Sequence, residues 1–182
     1  DNPVIRYFDE KEQDGAAIGD PQVLVPGEFD RQWHCFYHGF YDRDYRPYYH
    51  HIVSGDGYAW RMGERWQWPV NPCFTFCHKG RWMLFFTSTL KEQEREAYGA
   101  SNIIRMRESD DLSHWSEAKD ILTPELPFER ECTGGKGPVE VRNPCVVRLP
   151  NGRFRLYYSA GTIMLPDCGY EEPKYISYAE AD

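Results

Sequence analysis

A phrase that returns three times constrains what this chain can fold into. Asp20-Pro21-Gln22-Val23, Asn71-Pro72-Cys73-Phe74 and Asn143-Pro144-Cys145-Val146 each begin a short apolar stretch. A second apolar stretch follows each of them: His34-Cys35-Phe36-Tyr37-His38-Gly39, Met83-Leu84-Phe85-Phe86-Thr87-Ser88 and Arg155-Leu156-Tyr157-Tyr158-Ser159-Ala160. The second and third copies share the turn between the stretches, Gly80-Arg81-Trp82 and Gly152-Arg153-Phe154. The first and second share a later S-x-D-x-x-x-W heptad, Ser54 to Trp60 and Ser109 to Trp115. Repetition of short strands at this spacing, with an aromatic in each unit, predicts an all-β fold of the β-propeller kind, built from four-stranded antiparallel blades.

The residue chemistry agrees with strands. Val, Ile, Tyr, Phe and Trp fill the segments between Gly, Pro, Asn and Asp, and these side chains suit a pleated, half-buried surface. Leu90 to Ala97 is the one stretch with helical character, and its charges on all sides make it a solvated excursion between strands. Pro21, Pro72 and Pro144 are expected to open strands, where a missing N–H costs the ladder least. In the heptads the Asp is expected to close a turn against its own backbone, with the Trp packing one blade on the next.

By this reading the first blade covers about residues 20–68, the second about 71–122, and the third starts near 143 and is incomplete. Tyr175-Ile176-Ser177-Tyr178-Ala179 reads as its third strand, with no S-x-D-x-x-x-W after it. Propeller rings close with about four to eight blades. The remaining blades are therefore expected in the same full-length protein or in another chain.

A net charge of −8 argues against nucleic acid or an anionic membrane as the partner. No apolar run is long enough to span a bilayer, and no signal-peptide pattern is present. The chain starts at Asp1 without a methionine, so both a cytoplasmic protein and one exported after removal of a signal fit. Six cysteines form no C-x-x-C pair, and Cys73 and Cys77 would lie about 13 Å apart along a strand, too far to share a metal ion. Buried thiols, with no metal and no cofactor, are the expectation.

Those same phrases resemble the five-bladed propeller glycoside hydrolases grouped around families 43, 32, 68, 117 and 130. The resemblance rests on the blade-opening D-P, the S-x-D-L-x-x-W heptad, and Val141-Arg142-Asn143-Pro144-Cys145-Val146-Val147-Arg148 ahead of Gly152-Arg153-Phe154. It extends from Gly19 onward and implies a carbohydrate substrate held at the mouth of the central channel. It also implies that Asp20, after Gly19 and before Pro21, corresponds to the first-blade aspartate, a general base in family 43 and a nucleophile in family 32. Asn71 stands where the second blade of those enzymes carries another aspartate. Arg142 stands where their third blade carries the acid glutamate.

Cleaving a glycosidic bond needs two carboxyl groups, so a substitute acid is sought nearby. Glu140 is two residues from Arg142, on the same side of a strand, just after the loop Thr133-Gly134-Gly135-Lys136-Gly137-Pro138. Glu171 and Glu172 are further candidates. Alternatively, Glu140 is a surface ion group paired with Arg142 or Lys136. Asn71, Arg142, Asn143, Tyr48, His50, His51 and Glu171 are assigned to substrate binding, with His50 and His51 on opposite faces of one strand. Arg142, Arg46 and Tyr48 would suit an acidic sugar through paired hydrogen bonds. The chain is thus read as a glycosidase with Asp20 and Glu140 as its catalytic pair, the alternative being a propeller that binds glycan without cleaving it.

Overall fold

The structure is a computed structural model that describes residues 17–27, 30–41, 46–66, 70–133, 137–167 and 169–181. It contains three four-stranded sheets, the architecture of a partial β-propeller. The first sheet has the order β1 (Ala17–Leu24), β2 (Trp33–Tyr41), β3 (Arg46–Ser54), β4 (Trp60–Trp66). The second has the order β5 (Val70–His78), β6 (Arg81–Thr89), β7 (Asn102–Ser109), β8 (Lys119–Leu122). A short helix, α1 (Glu92–Tyr98), buries no residue and sits between β6 and β7, where the charged segment was expected to leave the sheet.

The third sheet differs from the first two. Its strands β10 (Val141–Arg148), β11 (Phe154–Leu165) and β12 (Tyr170–Ala181) are antiparallel, and its fourth member is the two-residue β9 (Cys132–Thr133), parallel to β11 at Thr162 and Ile163. β10 pairs with β11 only as far as Ala160, so β9 extends the same edge. Among the described residues no strand pairs with the outer side of β12.

The repeated Asp-Pro and Asn-Pro phrases do not open their strands. In β1 the register slips between Gly19 and Gln22, and in β10 it slips between Arg142 and Cys145. Asp20 and Asn143 hold the left-handed backbone at φ 50° and 58°. These two phrases are therefore β-bulges: Asp and Asn tolerate that conformation, and the following proline lies where the ladder is already broken. The bulge bends the strand and re-aims the Asp or Asn side chain.

The chain packs as two compact units, one of residues up to Val70 with Asp110–His114, the other of Asn71–Ser109 with residues from Trp115 on. In the first, Cys35, Tyr37 and Ile52 are buried with Trp60 packed against them. This tryptophan covers its own sheet. In the second, Ile104 of β7 packs with Val141, Val146, Leu156, Tyr158 and Ala160, joining the second sheet to the third. Burial of each such aliphatic side chain contributes about 1.5–3 kcal/mol.

The heptad aspartates close turns as expected. Asp56 Oδ1 accepts from the Tyr58 and Ala59 N–H groups at 2.8 Å, and Asp111 Oδ1 accepts from Ser113 and His114 at the same distance. No disulfide joins the described cysteines, of which only Cys35 is fully buried. The thiols of Cys73, Cys77 and Cys132 are half-buried and that of Cys145 is exposed, whereas all were expected to be buried. Cys168 lies outside the described residues.

Candidate functional site

Glu140 is 2% exposed. Its backbone forms an isolated parallel bridge with Asn102 at the start of β7, flanked by a bond from Ser101 N–H to the Val139 carbonyl at 2.8 Å. That anchorage carries the side chain into the second unit's interior, where Asn102 Nδ2 donates to Oε2 at 2.6 Å. Arg142 Nε lies 3.0 Å from Oε1, and Arg142 Nη2 donates to Glu172 Oε2 at 3.2 Å. Burial pushes the Glu140 carboxyl pKa up. Arg142 and the Asn102 bond oppose this, and Glu171 and Glu172 reinforce it. The result is a carboxyl held toward its protonated form, beside a cation, with two further carboxylates in range.

Packing holds this arrangement in place. A Cβ on Gly137 would lie 2.6 Å from Thr162 Oγ1 and 3.2 Å from the Glu171 carboxyl, so only glycine lets the loop lie against β11 and Glu171. Thr162 Oγ1 donates to the Pro138 carbonyl at 3.1 Å, and Cys132 Sγ lies 3.1 Å from the Gly137 carbonyl. Beyond the bulge, Asn143 N–H donates to Thr87 Oγ1 and Asn143 Nδ2 to Ser159 Oγ, both at 3.1 Å.

The structure thus brings together Glu140, Arg142 and Glu172, with Glu171 close by and Asn143 on the same strand. The surface ion pair considered for Glu140 exists as a buried one with Arg142. Lys136, its other potential partner, lies outside the described residues, as do Gly134 and Gly135.

In the first unit Asp20 is open to solvent, and its Oδ2 lies 3.2 Å from Nδ1 of the buried His38. His50 is fully buried, its ring stacked on Tyr37 at 4.7 Å, with half-buried Tyr48 tilted toward it at 6.4 Å. His51 is buried on the other face, stacked on Phe36 and bonded through Nε2 to His34 Nδ1 at 2.9 Å. His34 Nε2 in turn lies 3.3 Å from Asp30. Both faces of β3 are therefore covered at these histidines. The side chains of Arg46 and Asn71 lie outside what the structure describes.

Asn102 and His38 are the site neighbours that sequence reading did not single out. Asn102 is 38 residues from Glu140 in sequence, so only the docking of two sheets joins them. His38 was visible as one of the first blade's histidines, but its pairing opposite Gly19 depends on the β1–β2 register. A further buried carboxylate, Glu129, is fully engaged as a clamp by the Tyr158 hydroxyl and the N–H groups of Glu125 and Leu126. Among the described residues no group of three His, Cys, Asp or Glu side chains is placed to hold a metal ion.

No protein-family profile matches this sequence, and no curated protein does. Solved structures do match. A thermostable family-43 glycoside hydrolase is 16% identical with a TM-score of 0.63, over 90% of this chain and 50% of that one. An endo-1,4-β-xylanase from Bacteroides thetaiotaomicron is 18% identical with a TM-score of 0.59, over 91% and 50%. An N-acetylgalactosamine deacetylase from F. plautii, in complex with blood group B trisaccharide, is 13% identical with a TM-score of 0.58, over 87% and 48%. The chain spans about half the length of these proteins. At such identities the likeness establishes the fold, which is that of propeller glycoside hydrolases, and the deacetylase's presence among them means that fold alone does not select a reaction.

Proposed function

We propose that this chain is part of a glycoside hydrolase acting on a neutral oligo- or polysaccharide, with Glu140 as general acid and Asp20 as base or nucleophile. The observation that carries the reading is Glu140 itself, a buried carboxyl whose pKa is pushed up, the property needed to hold a proton for a leaving glycosidic oxygen. In the reaction the bond from the anomeric carbon to the leaving oxygen breaks, and that oxygen takes the Glu140 proton. A water oxygen ends on the anomeric carbon, either directly, with its proton passing to Asp20, or after a covalent intermediate on Asp20. Matches to a family-43 glycoside hydrolase and a xylanase support a sugar polymer as substrate. A neutral sugar is favoured because Glu140 and Glu172 already engage the Arg142 guanidinium, leaving little of its charge for an acidic ligand.

The test is Asp20→Asn in the complete protein, assayed on a panel that includes xylo-oligosaccharides. The substitution removes charge and keeps shape, so turnover is expected to vanish while the circular dichroism spectrum stays unchanged. Turnover within a few-fold of wild type would remove Asp20 from the mechanism.

A second reading, a propeller that binds glycan without cleaving it, is favoured by one observation: the guanidinium of Arg142 stands where the resembled enzymes carry their acid and ties up Glu140. Sugar binding by wild type with no hydrolysis of any panel member would select it.

A further inference from the structure

His38 and Asp20 are joined by more than proximity. His38 lies directly across the β1–β2 ladder from Gly19, the residue before Asp20. A Cβ on Gly19 would come within 3.2 Å of His38 Cε1 and 3.3 Å of Nε2, so the imidazole lies against the strand only because that position is glycine. Asp20 follows in the left-handed conformation at φ 50°, the bulge turns its side chain, and Pro21 restricts the backbone behind it. Oδ2 of Asp20 then meets Nδ1 of His38 at 3.2 Å. The imidazole is buried, at 7% exposure, while the carboxylate is open to solvent. One carboxylate oxygen therefore stands against the ring, on a side chain that is otherwise open to solvent.

We propose that His38 is a positioning residue for Asp20: its neutral imidazole, protonated on Nδ1, holds Oδ2 so that Oδ1 is the oxygen presented to the reacting water or sugar. The inference rests on Asp20 being the base or nucleophile. Burial favours the neutral ring, lowering the His38 pKa against the pull of Asp20, so Nδ1 of a neutral imidazole faces Oδ2 within 3.2 Å, without the alignment of a formed hydrogen bond. Asp20 on β1 raises the His38 pKa against that burial, and the cross-strand neighbour of His38 on β3 is Tyr49. A ring held against the carboxylate removes one rotational freedom from it, so a histidine there serves geometry.

The experiment compares His38→Phe, His38→Asn and Asp20→Asn in the complete protein on xylo-oligosaccharides. Asparagine can place its Nδ2 where Nδ1 of histidine lies, and phenylalanine cannot donate. His38→Phe is expected to lower kcat by about 10- to 100-fold with KM changed by less than about threefold, and His38→Asn to recover most of the loss. If Asp20→Asn abolishes turnover but His38→Phe matches wild type in kcat, the His38 inference falls and the hydrolase reading stands. If Asp20→Asn stays active, Asp20 leaves the mechanism, and the premise of the His38 inference goes with it. The contact is then judged by NMR, which also decides where His38→Phe fails to fold. Nitrogen shifts of wild-type His38 should report an Nδ1-protonated neutral ring at pH 7, and an Nε2-protonated ring would overturn the proposal.

Discussion

Asn102 Nδ2 donates to Glu140 Oε2 at 2.6 Å, across the boundary between the second and third sheets. This bond favours the charged form of Glu140, because an N–H donor stabilises a carboxylate more than a carboxylic acid. Its removal in Asn102→Ala should raise the Glu140 pKa further. If Glu140 is the general acid, the alkaline limb of the pH–rate profile moves to higher pH. Arg142→Met should shift the limb the same way, since Arg142 also lowers that pKa. A limb that stays in place in both variants would detach Glu140 from proton transfer.

Glu140→Gln should separate activity from stability. A carboxyl whose folded pKa is raised binds its proton more tightly in the folded state. Relative to the unfolded chain it is therefore destabilising once the pH exceeds its folded pKa, and without effect below the ordinary glutamate range. Glutamine carries no charge and can still meet Asn102. Hydrolysis of substrates with poor leaving groups should fall by about 10²–10⁴-fold. Aryl glycosides with activated leaving groups should keep more of their rate, and the urea midpoint at pH 8 should hold or rise. A clear loss of stability at pH 8 would mean that the charged pair with Arg142 is a net stabiliser.

Acid should loosen the first sheet through its paired histidines. Burial and the neighbouring His34 push the His51 pKa down to about 3, and burial lowers that of His34, against the raising effect of Asp30. In the unfolded chain both titrate near 6.5. Folded pKa values below the unfolded ones mean that the unfolded state takes up protons first, so stability present above pH 6.5 is lost as the pH falls. For His51 the loss between pH 7 and pH 5 is about 2 kcal/mol, before most carboxylates titrate. His51→Gln should flatten that slope in urea unfolding, and an unchanged slope would contradict it.

The repeat was legible because its signals are local. Strand-forming residues, glycine turns and the Asp56 and Asp111 turns lie within a few residues of what they shape. The bulges at Asp20 and Asn143 were not, because a bulge is a mismatch between two strands and one strand's pattern carries no trace of its partner. Prolines that read as strand openers are for that reason found inside β1 and β10. Glu140 was found from its spacing to Arg142, but its burial and its bond to Asn102 come from sheet-on-sheet docking.

If further blades complete the ring, the exposed face of the third sheet is where the next one should pack. On β12, Ile176 is 83% exposed and Tyr178 is 55% exposed, and Val147 on β10 is also open to solvent. Arg155 stacks over the Tyr178 ring at 4.4 Å from its centroid and is anchored by Glu180, which fixes the aromatic in place. The opposite face of the same sheet contributes Val146, Leu156 and Tyr158 to packing against the second sheet, so one side of this blade is buried and the other exposes Ile176, Tyr178 and Val147 beside the Arg155–Glu180 pair. A following blade would cover it, and the matched structures are about twice the length of this chain. Ile176→Lys with Tyr178→Lys is then a core substitution in the complete protein, expected to cost about 2–5 kcal/mol. On a face that is solvent-exposed in the complete protein the same changes should fall within about 0.5 kcal/mol per site. Denaturant unfolding of the complete protein reads the difference directly, and a near-neutral double variant would mean that nothing packs on this face.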